Sequence, residues 1–130
     1  MEVIEMANEV ELSSILGSVK QFIGIDPEII VPGFETNLIM DINSALFILW
    51  QHGAGDDPSV PFKITGSSET WDDFVTGLEA EACKSYVCVS AKLDFDPPSS
   101  SYLLEQYKSK LKEYESRIIY AVDEKNANSN

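Results

Sequence analysis

Histidine is nearly missing from this sequence: His52 is the only one in 130 residues. A general acid–base site needs titratable groups converging on one place, and His52 stands beside Gly53-Ala54-Gly55 with no second imidazole to help it. It is expected to be a helix-end residue near open carbonyls. Cysteine is scarce too. Cys83 and Cys88 lie five apart, on different sides of a predicted helix, so they cannot bridge each other. No Cys/His spacing of a zinc site can be drawn, and two unpaired thiols suit synthesis in a reducing cytoplasm. The longest apolar run, Ala45 to Trp50, is far too short to cross a membrane. The first residues are acidic, where a secretory signal would be basic and then apolar. Phosphate loops, nucleophile elbows and dinucleotide fingerprints are absent, and Gly53-Ala54-Gly55 is a lone Gly-x-Gly. Asp72-Asp73 stands at a helix start, where acids serve capping and the dipole. Asp56-Asp57 lacks the alternating spacing of a calcium loop. These absences lead to the expectation of a protein that is not an enzyme and holds no metal or cofactor.

Basic residues are few as well: nine against 22 acids, for a formal net charge of −13. A broad basic face that would hold nucleic-acid phosphates is therefore excluded. A surface that repels DNA, or meets a basic protein partner, is compatible with the charge. The imbalance is uneven. Residues 1–57 contain ten acids and one base, Lys20, whereas residues 104–125 hold five of the nine bases. Such polarity suits either head-to-tail association of copies or two solvated helix faces.

A chain of 130 residues with 44% hydrophobic content makes one domain with its own core. Residues 1–11 read as an acidic extension, 12–122 as a helical domain and 123–130 as a polar tail. Ser13 or Ser14 caps a first short helix that Gly24 ends. Asp26-Pro27 and Pro32-Gly33 bracket a linker. A second helix runs from Phe34 to about His52, with Leu38, Ile39, Ile42, Ala45, Leu46 and Leu49 as its core stripe. Phe47, Ile48 and Trp50 widen its second half until it is apolar nearly all round, which predicts a helix central in a bundle or buried by another subunit. Trp50 is assigned to the core.

Residues 53–69 form a Gly/Pro-rich loop in which Phe62-Lys63-Ile64-Thr65 alternates like a short strand or half a hairpin. Thr70 and Asp73 look like a capping box opening a short turn. Trp71 beside them suits core and interface equally. A helix from about Leu78 to Leu93 follows, with Leu78, Ala82, Tyr86, Val89 and Leu93 on one face. Phe95-Asp96-Pro97-Pro98 breaks it. The last helix runs from the Ser99–Ser101 cap to about Val122. Leu104, Leu111 and Ile118 fall seven apart, interleaved with Tyr107, Tyr114 and Ala121, which makes an a/d seam. The fold expected is all-α, a bundle of about four helices.

This order of elements, with the Thr70-Trp71-Asp72-Asp73-Phe74 start and the Phe95-Asp96-Pro97-Pro98-Ser99-Ser100 junction, resembles the head–tail connector (adaptor) proteins of tailed phages and prophages, over about residues 13–122. The resemblance implies a ring, typically of twelve copies, in the neck of the virion beneath the portal protein, made in the cytoplasm of a bacterial host. Such a ring extends the tunnel through which double-stranded DNA passes without specific binding. It also offers a docking surface to the tail or to a stopper protein. Another tail-completion protein, a class that is mostly β-rich, and an acidic mimic of DNA are the competing readings.

Three sets of residues are candidates for assembly. Arg117, Ile118, Ile119, Tyr120 and Val122 lie near the end of the last helix, where apolar residues off the seam suggest a portal or subunit interface. Arg117 is expected to pair with a carboxylate across it. Phe62, Lys63, Ile64 and Trp71 mark a loop contact. Glu35, Asp56 and Asp57 are candidates to line the tunnel.

Overall fold

The computed structural model describes residues 13–128, and the acidic extension expected at 1–11 lies outside them. Among the described residues five helices follow one another: α1 (Ile15–Ile23), α2 (Pro32–Gln51), α3 (Trp71–Phe74), α4 (Ala80–Phe95) and α5 (Ser101–Asn128). The fold is all-α, with four long helices and one turn-length one.

Local chemistry sets most of the boundaries. Ser14 Oγ accepts the Gly17 N–H and caps α1. Gly24, at φ 98°, closes it in the left-handed conformation that only glycine adopts without strain. α2 starts two residues earlier than expected. Pro32 does not end a linker but takes the first helical position, where its missing N–H costs nothing. The capping box on α3 is complete: Thr70 Oγ1 accepts from Asp73 N–H, and the Asp73 carboxylate accepts from Thr70 N–H.

The core gathers on α4, which packs against α1, α2 and α5. It contributes Cys83, Tyr86, Val87 and Ala91, against Ile15, Leu16 and Val19 of α1 and the Leu38–Leu49 stripe of α2. The central helix is therefore α4 rather than α2. In the second half of α2, Phe47 and Ile48 face outward, and Trp50 is half-buried rather than core. Trp50 stacks on Phe47 at 5.5 Å and its indole N–H reaches the Pro58 carbonyl. Leu78 lies before α4 begins and is exposed.

The 53–69 loop forms no strand; the one isolated bridge among the described residues joins Ser14 to Thr70, just after the loop. Ile64 is buried all the same. Its N–H donates to Asn43 Oδ1 at 2.8 Å and its carbonyl accepts from Asn43 Nδ2 at 3.0 Å, so one side chain of α2 takes the place of a neighbouring strand. Ala54 is also core. The loop is thus packed structure rather than a detachable insertion.

α5 runs six residues beyond the expected end at Val122, through most of the predicted polar tail. At 28 residues it is about 42 Å long, against about 24 Å for the 16 residues of α4. The two run antiparallel, with Lys125 beside Glu79 at the start of α4. The first turns of α5 therefore extend past the end of α4. Only Ile118 and Val122 of α5 are fully buried, while Leu111 and Tyr114 pack partly on the core.

Candidate assembly interface

The helix-end candidates divide by helical phase. Ile118 and Val122, four apart, face the core and are almost wholly buried. Val122 sits against Gly53, where a Cβ would come within 3.1 Å of its methyl. These two residues hold α5 to its own domain and are not free to meet a partner. Ile119 and Tyr120 point the other way and are exposed. Tyr120 donates to Glu124 Oε1 at 3.1 Å, and that hydrogen bond raises its pKa. Arg117 is exposed, but it pairs with Glu113 on its own helix at 2.8 Å rather than waiting for a carboxylate from elsewhere. Lys110, first, and Arg117 together lower the pKa of Glu113.

The loop candidates divide in the same way. Ile64 and Trp71 are core, and the Trp71 indole donates to Ser18 Oγ at 2.9 Å. Trp71 is thus settled as an internal strut. Phe62 is half-buried with its ring 5.3 Å from that of Phe74. Lys63 is exposed. It borders a groove on the outer face of α2 together with Met40, Ser44, Phe47 and Ile48. Those four positions recur at helical spacing, so they make one stripe, apolar but for Ser44, that the domain itself leaves uncovered. The widening of the α2 pattern was its sequence signal, and burial by another subunit was one of the two outcomes that pattern suggested.

The acidic candidates differ from one another in environment. Glu35 bonds the Lys20 ammonium, which is nearly buried and also donates to the Ile29 carbonyl. The charge of Glu35 is thereby balanced inside the domain. Asp56 is exposed, and its carboxylate takes two hydrogen bonds from Thr76. Asp57 is exposed and accepts from both N–H and Oγ of Ser59, which lowers its pKa. Asp57 carries its charge directly into solvent.

Two further features were not anticipated. His52 stands at the end of α2, as expected, but it also bonds Glu115 of α5 at 2.9 Å, a pairing between distant helices that one sequence cannot reveal. Phe34 and Phe95 meet edge to face at 5.9 Å, with a pocket on each side. One pocket, about 220 Å³, is walled by Ile25, Ile29, Val31 and Leu38. The other, about 400 Å³, is lined by Asn37, Met40, Asp41 and Asp94. Partial burial, first, and the nearby Asp94 raise the pKa of Asp41.

Among the described residues no group of three or more His, Cys, Asp or Glu side chains could hold a metal ion. Nor is any helix among them long and apolar enough to cross a membrane. What the surfaces offer is contact area. A family described as phage connector protein matches residues 15–125, nearly the whole chain and all but the last turn of α5. The chain belongs to the phage connector protein family. Its members are structural proteins, and the match runs from the first turn of α1 to Lys125, through each element described above. No curated protein and no solved structure matches the chain.

Proposed function

We propose that this connector protein forms a ring in the virion neck, beneath the portal protein, that extends the DNA tunnel and presents a docking surface to the tail or a stopper. The observation that carries the reading is the family match over residues 15–125. The physical properties of the chain support it. A charge of −13 keeps a tunnel wall from retaining DNA, and Asp57, exposed and fully ionised, is the residue best placed for that duty among the acidic candidates. Ile119 and Tyr120 on α5, and the Met40–Phe47–Ile48 stripe on α2, are exposed apolar surfaces of the kind that assembly covers. They lie on different elements, as a head-to-tail ring requires.

Removing the gene from its phage tests the reading. Filled or leaking heads and free tails that fail to join are expected in electron micrographs, with normal particles restored by supplying the protein. Intact, tailed, infectious particles made without it would overturn the proposal.

A further inference from the structure

The two pockets flanking Phe34 and Phe95 share those rings as a common wall, so one side is apolar and the other carries an acidic lip. Phe34 is 59% exposed although it stands at the head of the core stripe of α2. Asp41 and Asp94 approach each other at that lip from α2 and α4. Two carboxylates beside an open apolar pocket select an occupant that carries an apolar side chain and, a short distance away, a cation.

The same chain holds such a segment. Residues 101–112, the first turns of α5, carry Lys108, Lys110 and Lys112 against the single acid Glu105. On a chain so strongly negative this stretch stands out as locally basic. It also displays Tyr102 and Leu103, both exposed. Leu103 and Lys110 are seven residues apart, so they share one face of the helix about 10 Å from each other. The Lys110 ion pair with Glu113 is long, at 3.5 Å, and solvent-exposed, so it holds the ammonium weakly.

We infer that the Phe34–Phe95 site of one copy receives the first half of α5 from a second copy, with Leu103 in the apolar pocket and Lys110 against Asp41 and Asp94. The inference rests on the ring reading and names the surfaces that build it. Donor and acceptor are different patches of the same chain, so the contact is head-to-tail and repeats around a ring. Contact between the basic turns and the acidic lip also places the connector's scarce cations at the seam between copies.

The test uses the full chain in solution. A benzophenone amino acid replacing Leu103 is photolysed, and the products are mapped by mass spectrometry. Cross-links from Leu103 of one copy to Phe34, Met40 or Phe95 of another are expected. Light scattering then follows self-association of Asp41→Lys/Asp94→Lys and of Lys108→Glu/Lys110→Glu/Lys112→Glu. Each set is expected to weaken association at least tenfold, and the two sets combined in one chain to restore part of it. Cross-links confined to other surfaces, a chain that stays monomeric, or indifference to the acid reversals would overturn the inference. With purified portal protein added to the mixture, capture of the probe by that protein instead of a second copy would overturn it as well. The ring reading is judged separately, by the particles made without the gene.

Discussion

Glu79, at the N-cap of α4, is fully buried, and Lys125, 46 residues later in the last turns of α5, donates to its Oε2 at 2.6 Å. The Gly55 N–H reaches the same oxygen at 3.3 Å and the Lys125 ammonium also approaches the Gly55 carbonyl at 3.4 Å. One ion pair therefore ties the end of α5, the start of α4 and the turn after α2. A Cβ on Gly77 would lie 2.5 Å from Glu79 Oε1, so a side chain there would have to push that carboxylate aside. Lys125 is partly exposed but Glu79 is not, so removing the lysine leaves a buried carboxylate without compensation. Lys125→Met should lower stability by about 3 kcal/mol in denaturant unfolding. Glu79→Gln added to Lys125→Met should recover part of that loss, so a double-mutant cycle gives a clearly non-additive result. Additive effects would mean that the two side chains do not depend on each other.

Asn43 governs the loop. Its amide replaces the ladder partner that Ile64 lacks, with one donated and one accepted bond. Asn43→Ala should cost about 2 kcal/mol, because both backbone groups of Ile64 lose their partners in a half-buried place. Hydrogen exchange at the Ile64 amide should speed up far more than at the buried positions of α4. Equal protection in the variant and the parent would show that the loop is held by side-chain packing alone. By the same reasoning, replacing residues 53–69 with a four-residue turn should unfold the protein, since Ala54 and Ile64 belong to its core.

The helix ends were legible because they follow from short-range chemistry. Ser14, Gly24 and the Thr70–Asp73 box act through neighbours three or four residues away, and each stands where the sequence puts it. The core stripe of α2 was legible from its period. The alternation at Phe62-Lys63-Ile64-Thr65 was also real, with Ile64 inward and Lys63 and Thr65 outward. Its cause is Asn43, on another element, and no local pattern announces that. The end of α5 misled for a related reason. Asp123 and Glu124 look like a tail because they occupy the outer face, while Lys125 turns inward to Glu79. Among the interface candidates, spacing alone was enough to separate Ile118 and Val122 from Ile119 and Tyr120, once the position of α4 fixed which face was inside.

Burial pushes the Cys83 thiol up to about 12, with Glu79 adding to the effect. Burial does the same to Cys88. An unfolded thiol ionises near its ordinary value of 9.0 while the folded one stays protonated. Between those two values the unfolded state binds fewer protons, so stability falls as pH rises. Its full contribution is present below pH 9 and is lost on the way to about 12, at roughly 1.4 kcal/mol per pH unit for each fully buried thiol. Stability measured against pH should therefore decline less steeply above pH 9 in Cys83→Ala than in the parent. Both thiols should also react with alkylating reagents at pH 8 much more slowly in the folded chain than in denaturant. Identical slopes, or fast labelling of the native protein, would contradict the burial of these groups.

Asp57 tests the tunnel reading more cleanly than its neighbours, because its hydrogen bonds reach only Ser59, two residues on, whereas Asp56 ties down the distant Thr76 and Glu35 holds Lys20. Asp57→Lys should leave the fold intact and make ejection of DNA from assembled particles slower, most visibly at low ionic strength, where attraction to phosphate is least screened. A rate equal to that of the parent at every salt concentration would remove Asp57 from the tunnel wall while leaving the connector role untouched.

Ile118 and Tyr120 are two residues apart and belong to opposite sides of α5. Ile118 has no exposed surface at all, whereas Tyr120 is 66% exposed and touches Glu124 of its own helix. Ile118→Ala removes three methyl or methylene groups from a close-packed core and should cost about 2–5 kcal/mol. The combined change Ile119→Ser/Tyr120→Ser takes apolar surface from the solvent side and should leave the melting temperature nearly where it was. The two variants then part company in assembly. Purified Ile119→Ser/Tyr120→Ser, correctly folded, should bind the portal protein or its own copies at least tenfold more weakly, as the loss of clustered apolar contacts at an interface demands. Ile118→Ala, at a temperature where it remains folded, should bind almost normally, because its side chain never reaches the partner. If the double serine variant binds normally, the outer face of α5 is simply a solvated helix side. If it melts many degrees lower instead, that face packs on the domain.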